Sequence, residues 1–217
     1  GAGPTCAQAR APRVVEVRGV RVAFLAVTDI ANFDHNGALD GPCLATTGPP
    51  CASDCGPDRD ALTYDVDLDA LRAAVASARE QADAVVLSVH WGMEYQTAAR
   101  PRDVAFADAL LDAGVDVLLG HHSHVLGPVR ERGGRIAAMS LGNAVSDMGR
   151  RYDPAAHPAS KGHTRDGGLL AWTFARQGDE VWVEDARLVP LWTENTSAGS
   201  RVLPLAEVQA PALRATR

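Results

Sequence analysis

Three of the seven histidines in this chain, His121, His122 and His124, fall within four residues of the stretch VDVLLGHHSHVLGPV (115–129). They follow an apolar, β-favouring run that stops at Gly120, and a further histidine, His90, ends a similar run in ADAVVLSVHWG. Neutral imidazole is a common ligand of zinc, manganese and iron. Residues two apart in an extended segment point to the same side, so His122 and His124 are expected to face one ion while His121 turns aside. Gly120 is expected to let the backbone bend there. A lone histidine at a strand end is more often a hydrogen-bonded surface residue than a ligand, so the joint occurrence carries the metal reading. His35, His157 and His163 lie in loop-like sequence and read as solvated residues.

The histidines can meet only if the elements beneath them run side by side. VVEVRGVRVAFLAV reads as a β-hairpin about Arg18-Gly19, with Val20 to Val27 as a central strand. A long polar loop covers about Asp29 to Asp65. Asp67 opens an amphipathic helix with Leu68, Leu71 and Val75 on one face, followed by the short strand that ends at His90. Pro101 near its start, Val104, Ala107 and Leu111 at helical spacing, and the stop Gly114 mark a second helix, and VDVLLG is the next strand. This α-β-α-β order predicts parallel strands with right-handed crossovers. Ligands gather outside the carboxyl ends of such strands, which is where His90 and the GHHSH cluster stand. After Gly133-Gly134, RIAAMSLGN reads as a strand ending near Asn143, residues 144–166 as a polar loop, and GLLAWTFARQGDEVWVEDARLVPL as an antiparallel hairpin about Gly178-Asp179. Residues 1–203 read as one domain and 204–217 as a tail or linker.

At 217 residues and 46% hydrophobic the chain can bury a core, and its net charge of -6 gives no electrostatic reason to expect nucleic acid as a partner. No apolar run reaches the roughly 18 to 20 residues of a membrane span. The chain opens on Gly1 and not on methionine, so a targeting sequence or further domain is expected upstream. Cys6, Cys43, Cys51 and Cys55 crowd the first quarter. Their even number and loop setting suggest disulfides and an oxidising compartment, with the pairing open, against the alternative of a zinc knot. Lys161 is the only lysine, a bias that composition alone could explain.

SVHWGMEY (88–95), DAGVDVLLGHHSHVLGPV (112–129) and MSLGN (139–143), in this order and spacing, resemble the second half of the bacterial CapA/PgsA capsule-synthesis family of poly-γ-glutamate, relatives of calcineurin-like metallophosphoesterases. The resemblance implies an α/β fold, a metallophosphoesterase-like α/β/β/α sandwich with mixed sheets and a C-terminal antiparallel hairpin. It implies a two-metal site with His90, His122 and His124 as ligands, and Asn143 and Glu94 near it. The family's early Gly-Asp and Asn-Asn-His motifs have no counterpart, and EVRGVRVAFLAVTD (16–29) matches the strand that follows them, so the chain is either the second half of a longer protein, the expectation that its three retained histidines favour, or a degenerate remnant. Asp29, Asp34, His35 and Asn36 could replace the absent ligands, although Asp and Asn are ordinary turn residues. Among candidates for supporting a ligand or touching substrate, His121 adjoins the pair and Trp91 either walls the site or packs. Glu94 either holds a ligand imidazole in its tautomer or is a surface charge, and Arg165 either binds an anionic group or pairs with a loop carboxylate.

Two functions of different class follow. One is a metal-dependent hydrolase of capsule or poly-γ-glutamate synthesis, using two divalent ions, Mn, Zn or Fe, on a phosphoester substrate. The other is a non-hydrolytic envelope component that binds or hands on an anionic polymer, against which the acidic net charge weighs mildly. A sugar- or peptide-binding module without metal would make the histidines coincidental. Partners implied by the resemblance include membrane-bound capsule-synthesis proteins, and the location implied is extracytoplasmic or envelope-associated.

Overall fold

The computed structural model describes residues 1–31, 43–48, 62–63 and 66–205. Asp34, His35, Asn36, Cys51, Cys55 and the stretch 206–217 lie outside the described residues.

The central sheet has six strands: β1 (Arg13–Val17), β2 (Val20–Thr28), β3 (Ala84–His90), β4 (Val117–His121), β5 (Val129–Arg132) and β6 (Arg135–Ala138), in the spatial order β1-β2-β3-β4-β6-β5. The inner four, β2, β3, β4 and β6, are mutually parallel, and each edge is closed by an antiparallel hairpin partner. Arg18 and Gly19 both take positive φ in the first hairpin, the backbone of a tight turn that matches the strand twist. The expected strand to Asn143 is shorter: β6 stops at Ala138, and Leu141 and Gly142 continue only as isolated bridges. Val129–Arg132 is a strand that the sequence reading passed over, because its four residues are mostly charged.

Two helices cover one face. In α2 (Leu68–Gln81) Asp67 caps the start, its side chain accepting from the N–H of Ala70 at 2.9 Å. In α3 (Pro101–Asp112) Pro101 occupies the first turn, where its lack of an N–H is harmless, and Gly114 follows at φ +112°. The short α1 (Cys6–Arg10) precedes β1. Leu71, Val75 and Ala78 of α2 and Phe106, Leu110 and Leu111 of α3 bury against Leu25, Val85, Leu87, Val89 and Leu118. An ion pair ties α2 to the strands: Arg79 reaches Asp116 at 2.5 Å, and the same carboxylate accepts from Val85 N at 2.7 Å.

The opposite face packs on a second, antiparallel sheet, β7 (Asp166–Gln177), β8 (Glu180–Thr196) and β9 (Gly199–Pro204). Val22, Val86, Val117 and Ile136 meet Leu170, Trp172, Phe174 and Leu188 there. The hairpin about Gly178 is as expected, and β9 adds a third strand that runs through Pro204, one residue past the expected domain boundary. The described residues thus build three layers, helix, mixed sheet and antiparallel sheet, of an α/β fold. Cys6 is disulfide-bonded to Cys43, with Cα atoms 4.9 Å apart. No helix among the described residues is long and apolar enough to cross a membrane.

Candidate functional site

The parallel register brings the carboxyl ends of β2, β3 and β4 into line, with Thr28 opposite His90 and His90 opposite His121. The chain then turns out of the sheet. His122 takes φ +93° and His124 φ +60°, so neither is extended, and the pair does not share a side through strand alternation as expected. Ser123, buried between them, sets Oγ 2.8 Å from Ser140 Oγ and 2.9 Å from Val125 O, which fixes the turn. Tyr95, at φ +61°, is joined to it by Tyr95 N–H donating to Ser123 O at 2.8 Å. Left-handed backbone at a residue with a Cβ costs roughly 1–2 kcal/mol. Three of the five such residues among those described gather here, which is how strain is retained at a working site.

Gly120 has another role than bending. It is a strand residue of ordinary φ, and a Cβ there would stand 2.0 Å from Met139 O and 2.7 Å from Trp91 Nε1. The gap admits a buried hydrogen bond, Trp91 Nε1–H to Met139 O at 3.0 Å. Trp91, only 2% exposed, lies edge-on to Phe106 with ring centroids 5.4 Å apart, so it packs in the core beneath the site.

The rings of His90 and His122 have centroids 4.7 Å apart, and those of His122 and His124 6.2 Å. Lost hydration, then the imidazoles of His122, His121 and His124, push His90 down to about 4. His90 keeps part of its surface in solvent, so the direction, toward the neutral ring, is what matters. Burial lowers His121 as well. Asn143 decides the tautomer of His124. Its Nδ2 faces two carbonyls, Thr164 O at 3.0 Å and His124 O at 3.4 Å, so this atom must be the amide donor. Oδ1 then accepts from His124 Nδ1 at 2.9 Å, so that in the neutral ring the lone pair is on Nε2. Glu94 Oε1 lies 3.6 Å from that Nε2. Asn143 therefore holds the imidazole, the first of the two roles open to Glu94, and Glu94 stands on its open side.

Asp29 ends β2 beside His90, its N–H donating to His90 O at 3.0 Å. The carboxyl is 4% exposed, with Oδ1 making no hydrogen bond and Oδ2 at 3.6 Å from Arg102 and 3.8 Å from Arg100. Burial, against the pull of Arg100, raises it to about 7.

Two contributors escaped the sequence reading. Tyr95 stacks on His124, ring centroids 6.2 Å apart, and Lys161 Nζ sits 5.4 Å from the Tyr95 ring centroid. The signal for Lys161 was its being the single lysine, which composition could also explain. Arg165 is 8% exposed and lies over Trp192, while His163 and His157 bond Asp166 and the Asp153 backbone in the outer loop.

Imidazoles of which His90 and His121 are pushed toward the neutral ring, beside one whose Nδ1 is engaged by Asn143, are the donor chemistry a divalent ion requires. His90, His122 and His124 fit as part of such a set. Among the described residues, however, no three His, Cys, Asp or Glu side chains are arranged to hold one ion by themselves.

The family model described as bacterial capsule synthesis protein PGA_cap matches residues 1–148. The chain belongs to this family. It is similar to the capsule biosynthesis protein CapA of Bacillus anthracis, 37% identical over 154 residues, covering 70% of this chain and 33% of that protein. It is also similar to the PGA biosynthesis protein CapA of Bacillus subtilis (strain 168), 28% identical over 163 residues, covering 75% of this chain and 35% of that protein. The PGA_cap chain thus spans about a third of the length of these relatives. Among solved structures it is similar to the NAD nucleotidase of Haemophilus influenzae, with 13% identity, 94% of this chain and 35% of that chain covered, and a TM-score of 0.44, too low to bear on function.

Proposed function

We propose that this PGA_cap chain forms part of a metal-dependent hydrolase of capsule or poly-γ-glutamate synthesis, working outside the cytoplasm on a phosphoester or related ester bond. The observation that carries the reading is the grouping of His90, His122 and His124 at the carboxyl ends of neighbouring parallel strands, with His124 locked in the Nε2 lone-pair tautomer by Asn143. The family and the capsule-related relatives supply the biological setting. The Cys6–Cys43 disulfide agrees with an oxidising compartment.

His90, His122 and His124 would hold divalent metal, Mn, Zn or Fe, as part of a two-ion centre completed by residues beyond those described. Bound there, such ions polarise the scissile ester and make a nucleophile of water at neutral pH. The chain's own contribution is orientation. The strained turn fixes His122 and His124, Asn143 keeps the proton of His124 on Nδ1, and Glu94 is placed to take a proton on the open side of that ring.

The test uses the full-length natural protein beside its His122→Ala/His124→Ala variant. Metal content by elemental analysis and hydrolysis of a chromogenic phosphodiester after Mn loading are compared. Loss of both in the variant is expected; undiminished metal and turnover would overturn the assignment. Metal binding with no turnover, together with retention of a γ-glutamyl polymer, would replace the hydrolase by a polymer-binding envelope component.

A further inference from the structure

The segment 159–166 carries two cations, Lys161 and Arg165, and neither is in an ion pair among the described residues. Arg165 is buried, its Nε–H donates to no partner, and among the described residues nothing receives a hydrogen bond or ion pair from its guanidinium. It is also held in place. The guanidinium carbon lies 5.3 Å from the Trp192 ring centroid, and a Cβ on Gly149 would stand 2.4 Å from Arg165 Cδ, so the 148–151 turn lies directly on its stem. The adjacent carboxylate is already engaged, Asp166 Oδ2 being 2.8 Å from His163 Nδ1. The neighbouring Asp166, itself bonded to His163, is the charge that supports Arg165 from within the fold, and no ion pair joins the two. A cation fixed between an aromatic ring and a glycine turn, with its Nε unpaired, is suited to an anion from outside. Lys161 is the second cation, over the ring of Tyr95, which stacks on His124. It makes no ion pair among the described residues.

A chain of hydrogen bonds ties the backbone of the segment that carries the two cations to the site. Thr164 Oγ1 donates to Lys161 O at 3.0 Å, Thr164 O accepts from Asn143 Nδ2 at 3.0 Å, and Asn143 Oδ1 accepts from His124 Nδ1 at 2.9 Å. The amide that sets the His124 tautomer thus also sets the position of the cationic segment.

We infer that residues 159–166 form an anion-binding clamp beside the histidine cluster, with Arg165 as the buried fork and Lys161 as the rim charge, that takes one carboxylate or phosphoryl group of the substrate. The inference rests on the hydrolase reading only for the word substrate; anion binding itself does not require turnover. Planar Arg suits a two-oxygen group of either kind, and the acidic net charge of the chain makes two unmatched cations in one short segment the more pointed.

The experiment titrates the full-length protein calorimetrically with inorganic phosphate and, separately, with a γ-glutamyl tetramer, in the parent, Lys161→Met and Arg165→Lys forms. Metal content and phosphodiester turnover are measured on the same preparations. The clamp predicts that at least one of the two anions binds, and that each substitution weakens it by about tenfold or more, the loss expected for one charge-assisted hydrogen bond, with metal content unchanged. Phosphate alone would identify a phosphoryl source, the tetramer alone a carboxylate source. Equal affinity in all three proteins, or no binding of either anion to the parent, would overturn the clamp. Binding that persists without metal or turnover would leave it standing while the hydrolase reading fell. Lys161 is half-buried in the four-residue helix Ala159–Gly162 and its replacement threatens the fold little, so the test survives if Arg165→Lys does not fold.

Discussion

His124 joins most of the site's interactions, and the residue predictions start from it. With its Nδ1–H donated to Asn143, only Nε2 can ligate; Asn143→Ala removes the acceptor and frees the ring to turn and to change tautomer. Metal affinity of the full-length protein, measured by chelator competition, is expected to fall about 10- to 100-fold, as for other partners that orient a ligand imidazole, while the fold is retained. Affinity equal to the parent would show that the turn alone positions the ring. Gly120 is the reverse case, a residue whose only task is to be small. Gly120→Ala pushes a methyl into Met139 O and Trp91 Nε1 and is expected to cost about 2 kcal/mol or more in urea unfolding, the range for overpacking a tight core.

At the scale of elements, α2 and the β1-β2 hairpin are held by acids at the amino ends of β3 and β4. Asp116 is buried, taking Arg79 and the Val85 N–H, so Asp116→Ala leaves that N–H unpaired and takes from Arg79 its carboxylate, leaving it the carbonyls of Asp83 and Gly114. A loss of about 3 kcal/mol in urea unfolding is expected, typical of breaking one side of a buried pair. Asp83 holds the hairpin from its other side. Its hydrogen bonds from the Arg21 side chain and the Arg21 N–H keep it below the usual carboxylate range. A folded value below the unfolded one, about 4, means stability that is present above that pH and lost as pH falls through the folded value. Asp83→Asn should therefore lower the Tm at pH 7, with the gap to the parent closing as pH is taken below 4. A gap constant from pH 7 to 2.5 would mean that the acid contributes shape and not charge.

For the whole molecule, the Cys6–Cys43 bond links the segment before β1 to the stretch after β2, a separation of 37 residues. Closing such a loop restricts the unfolded chain by about 4 kcal/mol in the chain-entropy account. Cys6→Ser/Cys43→Ser, or mild reduction, is expected to lower stability by that order, measured by denaturant unfolding with and without reductant. Protein taken from its natural host without reduction should leave these two thiols unreactive to a thiol probe. Reactive Cys6 and Cys43 would argue for a reducing compartment and against the extracytoplasmic part of the proposed function.

The strands Val20–Thr28, Ala84–His90 and Val117–His121 and the helices Leu68–Gln81 and Pro101–Asp112 were legible because periodicity, caps and stops are local: Asp67, Pro101 and Gly114 stand where the helices begin and end. Their order alone implied a parallel sheet with His90 and the GHHSH segment at neighbouring carboxyl ends, which the register confirms. What local sequence could not decide was direction. His122 and His124 come together through left-handed backbone held by Ser123 and Ser140, a contact across 17 residues, and not through strand alternation. Gly120 is required by the carbonyl of Met139, just past the end of β6, and Asn143 finds both His124 and Thr164 across loops. Lys161 and Arg165 gain their meaning only from Tyr95 and Trp192, far off in the chain. Periodicity is a property of neighbours along the backbone, whereas burial, tautomer and an unmatched charge are properties of neighbours in space, and those exist only once the layers have packed.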